Sequence, residues 1–454
     1  MKAIAPLTLG IAAALGAVLP AQNERELAEL RRQLDAQNAR IQQLEANAAA
    51  TPALDQASGF EAAYDGGFVI RSTDGASVPF ELKINGRLQA RYTGFSPDVD
   101  TFSNLESAAA GMPIPVTSRN EFELERARLE FTGTWVDPRL HFYLNLDADT
   151  DDSHQVIFHD FWFNYEFHQA FDLYAGKAFV PGSRDWLSGS TRTHFADRSM
   201  ATTFFRPDRS VGVWVIGEPI ENVHYRVMLA NGIASTDLTS SQVDDRFAYS
   251  GSFWWDPLGN FGKGYADLEQ RADPVARVGT SFTVAQEEAG FTFSGIEAQE
   301  ARIVRLSDGS RLTALGVNTF DHYLAAVDAA FKWCGLGVHG EAFYRWLREI
   351  SPTGAPPAGF PLSEQDDWGF YVDGGLFVVP STLEPVVRVS SVQGDIRDSW
   401  EYAAGLNYYV DHTHKNKLTL DATWLDGAPT RNSGPNYRVG DDGVMVRLQW
   451  QIAF

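Results

Sequence analysis

Arginine residues recur at alternate positions in two neighbouring segments of the chain. Arg87 and Arg91 lie in the first segment, and Arg126 and Arg128 lie in the second. A guanidinium group keeps its positive charge and presents paired, coplanar donors, which match the oxygen atoms of phosphate and similar anions. Arginines that share one face of a wall are therefore predicted to bind or guide small anions.

A second group of basic residues falls in a long polar stretch between Lys177 and Arg209. This stretch holds six basic and three acidic residues and so has a net charge of +3, whereas the whole chain has a net charge of −22. The local excess predicts a surface that attracts anions, and His194 would add a titratable group to it. With two basic residues from the end of the chain, the candidate pore-lining and anion-binding residues are Arg87, Arg91, Arg126, Arg128, Arg184, Arg192, Arg198, Arg206, Arg388 and Arg447.

Other chemical sites are not indicated. The acidic residues Asp147, Asp149, Asp151 and Asp152 partly resemble a Ca²⁺ loop, but the glycine and the terminal glutamate of such a loop are absent. We interpret this cluster as a rim that faces water or lipopolysaccharide. The ten histidines show no close zinc spacing, and no catalytic triad, glycine-rich phosphate loop or nucleic-acid-binding patch stands out. We expect no enzymatic activity, metal, cofactor or nucleic-acid partner.

The elements that must position the arginines are strands with alternating residue types. From Leu82 to Thr93, small or apolar residues alternate with Lys, Asn, Arg, Gln and Thr. Successive strand residues point to opposite sides, so one face is apolar and the other is fully polar. The stretches 126–135, 140–147, 417–424 and 444–454 repeat this pattern. A charged inner face of this length favours a water-filled interior over a packed soluble core.

The predicted fold is all-β: a transmembrane antiparallel β-barrel of about 16 strands, with a short N-terminal α-helical coiled-coil segment. Short turns alternate with long polar connections, which is typical of outer-membrane barrels with short periplasmic turns, so both termini should be periplasmic. The strand count is least secure over residues 257–273. The predicted strands are 80–94, 121–135, 138–149, 156–168, 171–179, 209–218, 222–231, 246–256, 274–286, 320–333, 335–348, 367–380, 384–393, 400–411, 416–426 and 442–454.

Four regions are predicted along the chain. Residues 1–21 have the positive start and the apolar stretch of a signal peptide, although a retained anchor is an alternative. Residues 22–48 carry Leu27, Leu30, Leu34, Ile41 and Leu44 at heptad spacing and predict a periplasmic coiled coil, or else a single amphipathic helix. Residues 49–64 are interpreted as a linker and 65–454 as the barrel. Beyond the amino terminus no apolar run is long enough for a membrane helix, and the single cysteine, Cys334, excludes an internal disulfide.

Several short motifs resemble the phosphate-selective porin O and P family over roughly residues 65–454. They are Ile84–Gln89, Glu125–Leu129, Phe161–Tyr165, Tyr174–Pro181 and Arg209–Val213. The resemblance implies a trimeric, sixteen-stranded outer-membrane channel with an anion-binding pore. By analogy with known porins, the third long loop (180–208) would fold into the barrel and form the constriction. This loop contains no lysine, which departs from the family pattern and leaves phosphate specificity open.

The predicted function is an outer-membrane porin for passive diffusion of small anions such as phosphate. Its expected partners are outer-membrane lipid, lipopolysaccharide, small anionic or polar solutes, and two further copies of the chain in a homotrimer. The interior arginines could instead be structural, paired with acids such as Glu123, Glu125 and Glu130. The alternatives are therefore a general or organic-solute porin without anion preference, a structural barrel that tethers the outer membrane to the cell wall, or a barrel enzyme such as a phospholipase.

Overall fold

The computed structural model describes residues 32–40, 59–74, 76–150, 156–235, 246–288, 303–352, 354–356, 358–360 and 363–454. The chain divides into two units, Met1–Phe60 and Glu61–Phe454. In the first unit, residues 32–40 form helix α1 with exposed side chains. Leu34 of the predicted heptad lies on this helix, whereas Leu27, Leu30, Ile41 and Leu44 lie outside the described residues, as does the predicted signal peptide. Among the described residues, no helix has the length and apolar character needed to cross a membrane.

Strands dominate the second unit. In chain order they are β1 (Phe60–Tyr64), β2 (Phe68–Ser72), β3 (Phe80–Pro97), β4 (Thr101–Phe102), β5 (Ile114–Pro115), β6 (Arg119–Trp135), β7 (Asp137–Asp147), β8 (Ile157–His168), β9 (Phe171–Phe179), β10 (Arg209–Ile220), β11 (Val223–Ala230), β12 (Ala248–Trp255), β13 (Val275–Glu288), β14 (Val317–Trp333), β15 (Leu336–Pro352), β16 (Ser363–Leu376), β17 (Leu383–Gly394), β18 (Ser399–Tyr409), β19 (Asn416–Asp426) and β20 (Gly443–Ala453). The short helices are α2 (Leu105–Ala109), α3 (Arg184–Leu187), α4 (Met200–Phe205) and a 3₁₀ helix at Thr313–Leu315.

Sixteen of these strands, β3 and β6–β20, form a closed antiparallel barrel. Each strand pairs with the next along the chain, and β20 returns to pair with β3, for example Leu448 with Tyr92. All sixteen predicted strands and the predicted fold class are confirmed, with ends that shift by a few residues. Closure leaves no free sheet edge, so the main-chain polar groups of the wall are hydrogen-bonded within it.

The wall separates residue types by the two-residue period of a strand. On β20, Arg447 is 0% exposed and faces the interior, whereas Trp450 is 51% exposed on the outer surface. The same alternation on the other strands places apolar side chains outside, where a barrel contacts lipid.

The C-terminal residue completes the closure. The main chains of Phe454 and Gly86 exchange hydrogen bonds, with N–O distances of 2.9 and 3.3 Å. The ring of Phe454 also lies against Gly86, where a Cβ atom would come within 2.4 Å of the ring. Asn85 Nδ2 donates to the carbonyl of Phe454 (3.0 Å). An alanine at position 86 would therefore displace the ring of Phe454 from this position.

Two features of the described residues were not predicted. Strand β1 lies within the segment interpreted as a linker, and the hairpin β1–β2 extends the sheet alongside β3, with Phe68 opposite Ile84. The connection between β12 and β13 is long, although it joins strand ends on the short-turn side, and its residues Phe261 and Tyr265 are buried. The predicted pattern of short turns on the periplasmic side therefore does not hold for the β12–β13 connection.

The barrel interior contains an apolar cluster built on α4. Phe205 of this helix stacks on Phe343 of β15, with ring centroids 5.1 Å apart. Met200, Phe204 and Tyr371 belong to the same buried cluster. The interior on the side of β15–β17 is therefore packed with side chains and is not an open lumen.

Candidate functional site

The third long loop, residues 180–208, lies inside the barrel. Its two short helices, α3 and α4, are capped by Ser183 and Ser199, whose side chains accept hydrogen bonds from main-chain N–H groups of the first turn. Further loop N–H groups donate to carboxylates on the barrel wall, which hold the loop across the interior. These bonds join Arg184 to Glu341 (2.8 Å), Ala196 to Asp421 (2.9 Å) and Met200 to Glu401 (2.5 Å).

Between this loop and the wall of β3 and β6–β9 there is a cavity of about 1030 Å³. We call it the basic cavity, because seven basic and five acidic side chains line it together with His159 and aromatic residues such as Phe179 and Trp186. The basic residues are Arg87, Arg126, Arg128, Lys177, Arg192, Arg198 and Arg209, and the acidic ones are Glu125, Glu130, Asp149, Asp160 and Asp208.

Most arginines of the basic cavity have an acidic partner. Arg126 contacts Asp197 of the third loop (2.7 Å) and Arg128 contacts Asp147 of β7 (2.5 Å). Arg87 contacts Glu130 with an N–O distance of 3.3 Å, and Arg209 contacts Asp160 with an N–O distance of 2.8 Å. Together the four ion pairs connect the third loop with the strands β3, β6, β7, β8 and β10. The pairs fix the guanidinium groups in position and reduce their net field.

Arg192 differs from the other arginines of the basic cavity. Among the described residues it forms no ion pair, and its half-buried side chain lies close to Gly264 of the inward-folded β12–β13 connection. Burial lowers the pKa of Arg192 below its ordinary value, although a guanidinium group stays charged at neutral pH. This residue therefore adds positive charge to the cavity without a matched acid.

The structure divides the sequence-predicted site residues into two groups. Arg87, Arg126, Arg128, Arg192 and Arg198 line the basic cavity. The other five lie elsewhere in the barrel interior, each against an acid, a hydroxyl or a ring, and their predicted role in anion binding stays a prediction. These are Arg91 with Glu123 and Glu125, Arg184 with Ser252 and Trp254, Arg206 with Asp208 and Trp186, Arg388 with Asp373 and Glu401, and Arg447 with Asp421.

The acidic cluster after β7 does not form one solvated rim. Asp147 is buried and pairs with Arg128, because the last residues of β7 still alternate and this carboxylate faces inward. Asp149 lines the basic cavity, whereas Asp151 and Asp152 lie outside the described residues. The interpretation as a rim is therefore wrong for Asp147.

The sequence analysis missed a second basic cavity, of about 460 Å³, between the long loops. Burial lowers the pKa of Arg305 to about 10. The positive charges of Arg311 and Arg431 also lower this pKa, whereas the negative charge of Glu106 raises it. Residues of three separate loops meet here, so sequence spacing carried no signal. Its charged residues are Glu106, Arg119, Arg305, Arg311, Arg431, Arg438 and Asp441.

Comparison with known proteins supports the assignment of fold and family. Residues 113–291 match the family model described as phosphate-selective porin O and P. No curated protein matches the chain.

Solved structures share the barrel. The anion-selective porin from Comamonas acidovorans matches with a TM-score of 0.53 and 11% identity, over 83% of this chain and 100% of that one. A loop-L8 deletion mutant of the outer membrane protein OmpT of Vibrio cholerae matches with a TM-score of 0.50 and 10% identity, over 83% and 99%. At such low identity the likeness establishes the fold alone. The family match and the closed sixteen-stranded barrel confirm the resemblance found in the sequence and identify the chain as an outer-membrane porin.

Proposed function

We propose that this porin conducts small anions such as phosphate in preference to cations, and that they pass through the basic cavity between the third loop and the wall of β3 and β6–β9. The observation that carries this proposal is the cluster of seven basic side chains that line the cavity, in a chain with a net charge of −22. The family description and the anion-selective porin from Comamonas acidovorans support it.

The pairing of the arginines suits conduction better than tight binding. A guanidinium group has five N–H donors, so an arginine such as Arg87, which meets the carboxylate of Glu130, still has donors for a passing anion. Conduction requires binding that is favourable enough for entry and weak enough for release. Neighbouring acids such as Glu125 and Asp160 lower the net positive field and so favour release.

Selectivity for phosphate over other anions is the finer part of the proposal. The third loop offers guanidinium groups and no ammonium group, and guanidinium groups bind any planar or tetrahedral oxyanion with paired donors. We therefore propose selection by charge and by oxyanion geometry.

The second candidate is a general porin without anion preference, and one observation favours it. Arg87, Arg126, Arg128 and Arg209 each contact an acid in or beside the basic cavity. If these pairs are purely structural, the cavity has only a weak positive electrostatic field and does not favour anions over cations. A barrel that tethers the membrane and conducts nothing is the remaining alternative.

We also propose that the porin is a homotrimer whose outer wall contacts lipid and lipopolysaccharide. The heptad positions of residues 22–48 support three-fold association, and Leu34 on α1 is 57% exposed in the single chain. The exposed apolar side chains of the wall support contact with lipid.

The decisive experiment is the reversal potential of single channels in a planar bilayer with a KCl gradient. The wild type should be anion-selective, and Arg192→Gln should lower the ratio of anion to cation permeability without abolishing conductance. The matched control is Arg71→Gln, which removes an exposed arginine that pairs with Glu61 in the β1–β2 hairpin and should leave the ratio unchanged. Cation selectivity of the wild type would overturn the anion preference, equal permeabilities would support the general porin, and no conductance would favour the tether.

A further inference from the structure

Two histidines and an aspartate meet where the third loop contacts the wall. His194 of the loop places Nδ1 2.9 Å from Oδ1 of Asp373 on β16, and Nε2 of His339 on β15 contacts the same oxygen. One potential ligand atom from each of these residues lies within 4.8 Å of the other two. All three side chains are buried, so solvent does not satisfy their polar atoms.

Several polar atoms of this cluster lack a hydrogen-bond partner. Among the described residues, Nε2 of His194, Nε2 of His339 and Oε1 of Glu384 form no hydrogen bond. The His194 and Glu384 atoms are 3.5 Å apart. A buried polar atom without a partner is destabilising. Nε2 of His339 faces Oδ1 of Asp373 without a hydrogen bond, which indicates that a ligand can be bound at this side of the cluster.

The wall orients these atoms from behind. Oδ2 of Asp373 accepts a hydrogen bond from Arg388 (3.1 Å), so Oδ1 faces the histidines. Oε2 of Glu384 accepts from Tyr409 (2.8 Å) and Asn407 (3.0 Å), so Oε1 faces His194. Nδ1 of His339 lies 3.2 Å from the hydroxyl of Tyr371, which leaves Nε2 to face Asp373. Partners of this kind set the tautomer and direction of metal-binding side chains.

The charges around the cluster favour an additional cation. The carboxylates of Asp373, Glu384 and Glu401 are buried in this part of the interior, together with the basic groups of Arg388 and Lys417. With both histidines neutral, one negative charge remains. A bound cation would compensate it inside the barrel, where unpaired charge is costly.

We propose that His194, His339 and Asp373 bind a divalent transition-metal ion of the Zn²⁺ type, through Nδ1 of His194, Nε2 of His339 and Oδ1 of Asp373. Two imidazole nitrogens and carboxylate oxygens are a ligand set that Zn²⁺ accepts in tetrahedral geometry. Tetrahedral ligands about 2.0–2.2 Å from the ion lie roughly 3.3–3.6 Å from each other, which small side-chain rotations reach from the present spacing.

The ion would fix the position of the third loop. His194 belongs to the loop, whereas His339 and Asp373 belong to β15 and β16. The ion therefore joins the loop to the wall opposite the basic cavity. This inference concerns loop anchoring and does not depend on which solute the channel conducts.

The test uses the full-length porin in detergent, stripped with a chelator and titrated with Zn²⁺ and, separately, with Co²⁺. One ion should bind per chain, Co²⁺ should give the absorption spectrum of a four-coordinate nitrogen and oxygen site, and Zn²⁺ should raise the thermal unfolding midpoint. His339→Gln should bind Zn²⁺ at least about tenfold more weakly. The matched control is His322→Gln, which removes a buried histidine from the neighbouring strand β14 and should keep wild-type affinity.

Two results would overturn the site. One is a wild type that binds neither Zn²⁺ nor Co²⁺, and the other is a folded His339→Gln variant with undiminished affinity. If His339→Gln does not fold, His194→Gln replaces it, and the Co²⁺ spectrum of the wild type decides independently of any variant. The β-sheet signal in far-ultraviolet circular dichroism confirms that each tested protein is a folded barrel.

Discussion

Nη2 of Arg126 on β6 lies 2.7 Å from Oδ2 of Asp197 in the third loop. The two residues are 71 positions apart in the chain, and their ion pair joins the wall to the third loop at the edge of the basic cavity. Arg198 also lies near this carboxylate, 3.8 Å away. Asp197 therefore reduces the positive field of Arg126 and Arg198, two of the basic residues that line the cavity.

Replacement of Asp197 by Asn should make the channel more anion-selective. The substitution keeps the side-chain shape but removes the negative charge beside Arg126 and Arg198, so the ratio of anion to cation permeability should rise about twofold. Reversal potentials in a salt gradient measure this ratio. Arg126→Gln is the opposing control and should lower it. A fall in the ratio for Asp197→Asn would contradict the role given to the basic cavity.

The pair of Arg128 and Asp147 should behave as a unit. Arg128→Gln removes the direct partner of the Asp147 carboxylate and leaves His159 3.7 Å away, so selectivity should shift towards cations and the unfolding midpoint should fall. The double variant with Asp147→Asn should recover most of both changes, because the uncompensated charge is gone. Simple addition of the two single effects in the double variant would speak against direct coupling.

Gly86→Ala should weaken barrel closure. Its Cβ would clash with the ring of Phe454, and overpacking of this kind costs about 1–3 kcal/mol of unfolding free energy. The measurement is the denaturant midpoint of the refolded protein in detergent. Gly251→Ala on β12 is the matched control, because the nearest atom to its Cβ would be 3.4 Å away. Equal midpoints for the two variants would show that the terminal ring does not need Gly86.

The contact between Glu106 of α2 and Arg311 should depend on pH. Burial raises the pKa of Glu106, but hydrogen bonds and charge from Arg311 (N–O distance 2.6 Å) more than offset this and lower the pKa below 4.5. A lowered folded-state pKa means that the stabilisation is present above pH 4.5 and is lost as the pH falls through the folded-state value. Because both side chains are partly exposed, the contribution should be only about 0.5–1 kcal/mol.

Denaturant midpoints of the wild type and Glu106→Gln should therefore differ at pH 7 and converge in acid. Glu364→Gln is the control, since Glu364 is largely exposed and lies 3.7 Å from Arg348; it should change little at either pH. A difference that persists in strong acid would argue that Glu106 acts through packing and not through charge.

The sequence by itself determined the wall. Alternation such as that from Leu82 to Thr93 has a period of two only in a strand, and it records which side of the sheet each residue faces. Repeated sixteen times with short and long connections, it is compatible with few folds other than a closed barrel. The basic third loop was also visible, because its charge is a property of consecutive residues.

Tertiary structure alone decided which charges meet. Arg126 with Asp197, Arg119 with Asp441, and His194 with Asp373 join residues far apart in the chain, and their contact depends on barrel closure and on the path of the third loop. It also placed Asp147 inside the barrel and brought the loop arginines Arg305 and Arg431 together. A local pattern specifies the direction of each side chain, but its partner is set by long-range register, since a hydrogen bond or ion pair depends on distance in space and not along the chain.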